Sequence, residues 1–133
     1  MKVTINNREL EDNFIYTSNI FQNHEPNIKS TKIDKKYLYT LLIVDPDAPY
    51  PDNPTKKYVL HLLVVNTKDI KAKFHPPNPP IDSPPHRYQI ILYKQNRYIK
   101  LDYIGYKTNF NLEDFVKTNN LELVDEFTFH CKK

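Results

Sequence analysis

Leu38-Tyr39-Thr40-Leu41-Leu42-Ile43-Val44, running directly into Asp45-Pro46-Asp47-Ala48-Pro49, is the stretch on which the reading of this chain turns. Its first seven residues are almost all apolar, β-branched or aromatic and leave no polar face, the pattern of a strand buried on both sides. Proline has no N–H for a sheet ladder, so the strand must stop where Asp45-Pro46 begins. The two aspartates therefore stand at a strand end, where sites are commonly built. Val59-Leu60-His61-Leu62-Leu63-Val64-Val65 is a second run of the same kind, and Tyr88-Gln89-Ile90-Ile91-Leu92-Tyr93 a third. Ten of the eleven prolines lie between Pro46 and Pro85, clustered at Pro46 to Pro54 and Pro76 to Pro85, and both clusters are expected as loops between these strands.

Weaker strand signals occur at Val3-Thr4-Ile5, Phe14-Ile15-Tyr16, Arg97-Tyr98-Ile99-Lys100-Leu101 and Phe127-Thr128-Phe129-His130-Cys131. One helix is predicted. Asn111 can cap it, Glu113 and Asp114 suit the dipole at its first turn, Leu112, Phe115 and Val116 share a face, and Thr118-Asn119-Asn120 should end it. Glycine occurs once, and asparagine-rich turns such as Asn6-Asn7 take its place, because Asn tolerates left-handed backbone better than most side chains. The class is mainly β, a single domain over 1–133 with a short helix near the C-terminus.

The formal charge is +3, and the 16 lysines and 3 arginines are scattered among 16 acidic residues. That distribution argues against a nucleic-acid face, which gathers basic residues and uses arginine. No apolar stretch approaches the roughly 18 residues of a membrane span, and Met1-Lys2-Val3-Thr4-Ile5-Asn6 lacks a signal-peptide core. A cytoplasmic protein is expected. The single cysteine, Cys131, closes no internal disulfide and gives no metal or redox signature.

If the strands ending at Val44 and starting near Val59 pair antiparallel, Asp45 at the exit of one lies near His61 at the entrance of the other. A carboxylate there favours the imidazolium while burial disfavours it, and the balance decides whether His61 offers one or two N–H donors to an anion. The ordinary role for His61 is a core histidine satisfied by one hydrogen bond, and for Asp45 and Asp47 it is turn chemistry. Arg87 is placed to clamp Asp47 with a bidentate bond. An enzyme is not expected, because no serine, cysteine or glycine-rich turn accompanies Asp45 and His61 at a recognisable spacing. Neither is a metal site, for want of HxxxH or CxxC spacing.

Tyr39 to Asn66, with DPDAP followed by a strand histidine sixteen residues after the first Asp, and Pro79-Pro80 through Pro85-His86-Arg87-Tyr88 to Tyr93, resemble the two signature regions of the phosphatidylethanolamine-binding protein family. The resemblance runs in weaker form from about Val3 to Cys131. It implies a large central antiparallel sheet packed with a smaller one, and an anion pocket at one sheet end that takes phosphate-bearing head groups or small oxyanions without a cofactor. The pocket would consist of Asp45, His61, Pro79, Pro80, His86 and Tyr88, with Asp47, Pro49 and Arg87 supporting its loops and Ala48-Pro49 cis. A binding protein that modulates signalling, kinase regulation included, through protein partners is the implied function. The alternative is an interaction module that has lost phosphate binding.

Some positions depart from the family pattern. Val59 and Leu60 stand where an aromatic, typically Trp, and a second His are usual, so an aliphatic wall is expected. The loop before His86 carries prolines in place of glycines, leaving fewer N–H donors for an anion. The chain stops at Cys131-Lys132-Lys133 where relatives continue into a helix, so an open pocket and a sheet surface available to a partner or a second copy are expected. Such compactness would suit a viral source, and with it the host cytoplasm.

Overall fold

The computed structural model covers residues 1–133. Nine strands and one helix follow in the order β1 (Lys2–Ile5), β2 (Arg8–Glu9), β3 (Ile15–Thr17), β4 (Asn27–Lys29), β5 (Leu38–Asp45), β6 (Val59–Val65), β7 (Asp69–Ala72), β8 (His86–Gln95), α1 (Leu112–Thr118) and β9 (Glu122–Lys132). Six strands form one sheet in the order β3, β9, β8, β5, β6, β7, and three form a smaller one in the order β2, β1, β4. The large sheet is antiparallel except at its edge, where the short β3 runs parallel to β9.

Both faces of the large sheet are covered, which is why β5 has no polar face. Ile43, Tyr88, Ile90, Phe127 and Phe129 point to one side and pack with Val3, Ile5 and Leu10 of the smaller-sheet segment. Leu42, Val44, Leu63, Ile91 and Tyr93 alternate with them and meet Ile99, Phe110 and Leu112 on the other side. Helix α1 forms as its sequence dictates: the Asn111 side chain accepts from the Asp114 N–H, and Leu112 is buried with Phe115 and Val116 packed alongside. Seven asparagines adopt positive φ, among them Asn6, Asn7 and Asn66, in the turns that glycine would otherwise make.

The strand expected at Arg97 to Leu101 does not form. Its backbone is satisfied by side chains in place of a ladder: Ile99 N–H donates to Asn66 Oδ1 (2.8 Å) and Ile99 C=O accepts from Asn66 Nδ2 (2.8 Å). Asn66 is itself held by Gln95, whose Nε2 donates to Asn66 Oδ1 (2.9 Å) and whose Oε1 accepts from Asn66 N–H (2.8 Å) and the Thr40 hydroxyl (2.7 Å). Gln95→Leu keeps the volume but strands these buried groups, so a loss of about 2 kcal/mol is expected in urea unfolding. A loss of under half that would show that the network contributes little. The strand expected at Phe14 to Tyr16 forms one residue later, while β2, β4 and β7 carried no readable alternation in sequence.

Candidate functional site

The site is assembled where β5 ends and β8 begins. These strands are antiparallel neighbours, and their register brings Asp45 level with Tyr88. On β8 the period of two then sorts the HRY triplet: His86 and Tyr88 turn inward, fully buried, while Arg87 turns the other way. Arg87 closes on Asp47, its backbone N–H donating at 2.7 Å, its Nε at 3.1 Å and its Nη2 at 2.9 Å. Burial raises the Asp47 pKa, but the Arg87 bonds and charge outweigh it and hold the carboxyl below its ordinary range. Asp45 Oδ1 caps the same turn by accepting from Asp47 N–H at 2.7 Å, and Ala48-Pro49 is cis.

The imidazole that Asp45 holds is that of His86, not His61: His86 Nδ1 lies 2.8 Å from Asp45 Oδ2. His86 Nε2 meets the Pro49 carbonyl at 3.0 Å and Ser83 Oγ at 2.9 Å. A carboxylate on one nitrogen and a carbonyl on the other both require N–H, so the ring is the imidazolium donating from both sides. Burial opposes that charge, and the bond to Asp45, its charge, that of Asp47 and the Pro49 carbonyl overcome it, raising the pKa above 6.5.

Ser83, His86 and Asp45 thus follow the connectivity of a hydrolytic triad, which sequence spacing did not reveal. The protonation is wrong for that chemistry. His86 has no lone pair with which to take a proton, and the Ser83 hydroxyl donates to the Pro84 carbonyl at 2.7 Å.

His61 reaches the site through a β-bulge. Ile43 pairs with Leu62 and Val44 with Leu60, leaving His61 without a partner on β5. In an unbroken register it would oppose Val44 and share that residue's face, the one away from Asp45. The extra residue turns it to the Asp45 side, where its ring meets the edge of Tyr88 at 5.3 Å between centroids. His61 Nδ1 donates to the His75 carbonyl at 2.7 Å, which fixes the neutral tautomer and leaves Nε2 as a bare acceptor open to the cavity. Burial drives its pKa down to about 4, against the opposing pull of the His75 carbonyl and Asp45. The one or two N–H donors expected of His61 are therefore none.

These groups surround a cavity of about 160 Å³ lined by Asp45, His61, Pro79, Pro80, His86 and Tyr88, together with Val59, the expected aliphatic wall. The six residues singled out in the sequence are thus brought together. Larger hollows of about 370, 400 and 510 Å³ are more open, the last adjoining the cavity at His75 and Asn78, and none has a buried ion pair at its base. Lys56, His75 and Tyr106 also line the cavity and were missed. His75 and Tyr106 lie ring against ring, 3.9 Å between centroids, and restore an aromatic wall. The signal for Tyr106 was the chain's only glycine: Gly105 has φ +77°, a turn that L side chains rarely make, and its N–H joins that of Ile104 in donating to Lys71 C=O. No three His, Cys, Asp or Glu side chains are grouped to hold a metal ion, and no helix is long and apolar enough to cross a membrane.

Comparison with known proteins agrees with this geometry. Residues 66–127 match the family model described as phosphatidylethanolamine-binding protein. The chain is 31% identical to Protein FLOWERING LOCUS T of Arabidopsis thaliana over all of this chain and 79% of that protein. It is 39% identical to a phosphatidylethanolamine-binding protein homolog of Acanthamoeba polyphaga mimivirus over 75% of each. Among solved structures it superposes on carboxypeptidase Y inhibitor, determined in complex with its cognate proteinase, with TM-score 0.79 at 20% identity over 98% of this chain and 82% of that one. The phosphatidylethanolamine-binding protein of Plasmodium vivax gives TM-score 0.69 at 16% identity over 98% and 85%. With the fold shared across nearly the whole chain and identity of 31% and 39% over most of both curated relatives, the chain belongs to the phosphatidylethanolamine-binding protein family.

Proposed function

We propose that this protein is a non-enzymatic binding protein that holds a phosphate-type anion, free or on a lipid head group, at Asp45, His61, Pro79, Pro80, His86 and Tyr88, and that it modulates signalling through protein partners in the cytoplasm. The observation that carries the reading is the buried pair of Asp45 and His86 at the base of the cavity, with the Lys56 ammonium at its edge. Asp45 and His86 cancel in charge, and Lys56 leaves one positive charge for an anion. The volume of about 160 Å³ is well below the roughly 300 Å³ at which pockets for drug-sized molecules begin, so it suits a head group and not an acyl chain. Relatives named for binding and inhibition support a protein that acts by association. The imidazolium state of His86 speaks against hydrolysis, and so does Cys131, whose buried thiol is pushed up to about 12.

An NMR titration with phosphate and phosphoethanolamine tests the reading. Amide shifts are expected at His61 and His86, and they should weaken in His61→Ala. No shift at millimolar ligand would sink it. That outcome would favour the second reading, an interaction module without a ligand, which draws on the proline-lined wall: Pro49, Pro79 and Pro80 bring no N–H to the cavity.

A further inference from the structure

Hydrogen bonding around the cavity is lopsided. Both N–H groups of His86 are committed, to Asp45 on one side and to Pro49 and Ser83 on the other. The N–H of His61 is committed to the His75 carbonyl, and what His61 turns to the cavity is the Nε2 lone pair. Asp45 presents carboxylate oxygens, and three lining prolines present no N–H at all. The inner end of the cavity, around His61 and Asp45, thus turns acceptors towards a ligand, while the donors among the remaining lining groups are the Lys56 ammonium, the Asn78 amide and the Tyr106 and Thr108 hydroxyls. A tetrahedral anion with no proton of its own would set oxygen lone pairs against the His61 lone pair and the Asp45 carboxylate.

We infer that the site selects an oxyanion that brings its own proton, a phosphate monoester or inorganic phosphate as the monoanion, over sulfate and over phosphodiesters, with the P–OH donating to His61 Nε2. The inference rests on the reading that this cavity binds a phosphate-type anion, and it narrows that reading to free phosphate or a monoester, in place of the phosphodiester of an intact phospholipid. It also matches the charge: one positive group, Lys56, against one negative ligand.

The groups that face His61 are Asp45 and Tyr88 on the sheet, His75 and Tyr106 on the loops packed over it, and His86 beyond Asp45. Burial keeps His61 neutral near pH 7 and lowers His75 as well. Burial raises Tyr88 and Tyr106, which keep their protons. Of these, His86 holds its proton to higher pH than a free imidazole, and loss of that charge would weaken a dianion more than a monoanion.

The test compares methyl phosphate, dimethyl phosphate and sulfate by calorimetry or NMR across neutral pH. The informative quantity is the ratio of methyl phosphate to sulfate affinity, which loss of the His86 charge would raise, because sulfate carries the larger charge, whereas titration of the ligand's own proton lowers it. Methyl phosphate is expected to bind at least about tenfold tighter than sulfate near its second pKa of about 6, with the ratio falling about tenfold per pH unit above it. Dimethyl phosphate, which has no such proton, should bind no better than sulfate, and His61→Ala should bring the ratio towards one. Equal binding of sulfate and methyl phosphate, or a ratio that does not move with pH, would overturn the inference while leaving the anion site standing. Failure of all three to bind at tens of millimolar would remove the anion site itself, and the inference with it.

Discussion

His86→Ala should lower the free energy of unfolding by about 3–5 kcal/mol, a loss large enough to unfold much of a marginal domain. The magnitude comes from what is left behind and not from the worth of the pair. Asp45 is buried, and without the imidazolium its charge keeps only the Asp47 N–H and the nearby Tyr88 hydroxyl, while the Pro49 carbonyl loses its donor. The double variant Asp45→Asn, His86→Ala separates these contributions. A side-chain amide in place of the Asp45 carboxylate still accepts from Asp47 N–H but carries no charge. The double variant should therefore be less destabilised than the sum of the single changes by 1 kcal/mol or more, as expected for side chains in direct contact, roughly 0.5–3 kcal/mol. Strict additivity in a chemical-denaturation cycle would show that the two side chains do not form the pair described.

Acidification should destabilise the fold between about pH 6.5 and pH 4, and His61 is the main cause. Its pKa falls from 6.5 in the unfolded chain to about 4 in the fold, because burial disfavours the imidazolium. A depressed histidine binds fewer protons folded than unfolded, so its contribution is complete above 6.5 and is lost as pH falls towards 4, roughly 3 kcal/mol in all. His75, also lowered by burial but exposed, adds in the same direction. His86 acts in another window: with its pKa raised, its stabilisation is complete below 6.5 and is lost as pH climbs through the folded value. Asp47, held below the ordinary carboxyl pKa of 3.8, loses its contribution only as pH falls past that value. Urea midpoints from pH 7 to pH 4 should therefore show a decline that flattens in His61→Phe. An undiminished slope in that variant would assign the acid sensitivity elsewhere.

Much of the frame could be read directly from residue order. The runs at Leu38, Val59 and Tyr88 became β5, β6 and β8 because a strand buried on both faces has a composition that no loop or surface helix shares. Asn111, Glu113 and Asp114 marked α1 because capping is local chemistry. Pairing of Asp47 with Arg87 could be anticipated because a bidentate guanidinium needs a carboxylate and few were near. The segment at Arg97 to Leu101 misled because its alternation is real but its hydrogen bonds go to Asn66, a choice made by a distant side chain.

What the sequence by itself determined is therefore part of the cavity lining: Asp45, His61, His86 and Tyr88 at strand ends bounded by proline loops, on a mainly β frame. What only the tertiary structure decided is their chemistry. The bulge between Ile43 and Val44 decides which face His61 takes, and the His75 carbonyl decides its tautomer. The choice of His86 over His61 as the partner of Asp45 follows from strand register. Spacing along a chain fixes which residues can meet, whereas proton positions depend on the acceptors that non-local packing places around each ring, and those come from loops at residues 49, 75 and 83 that no local pattern connects to it.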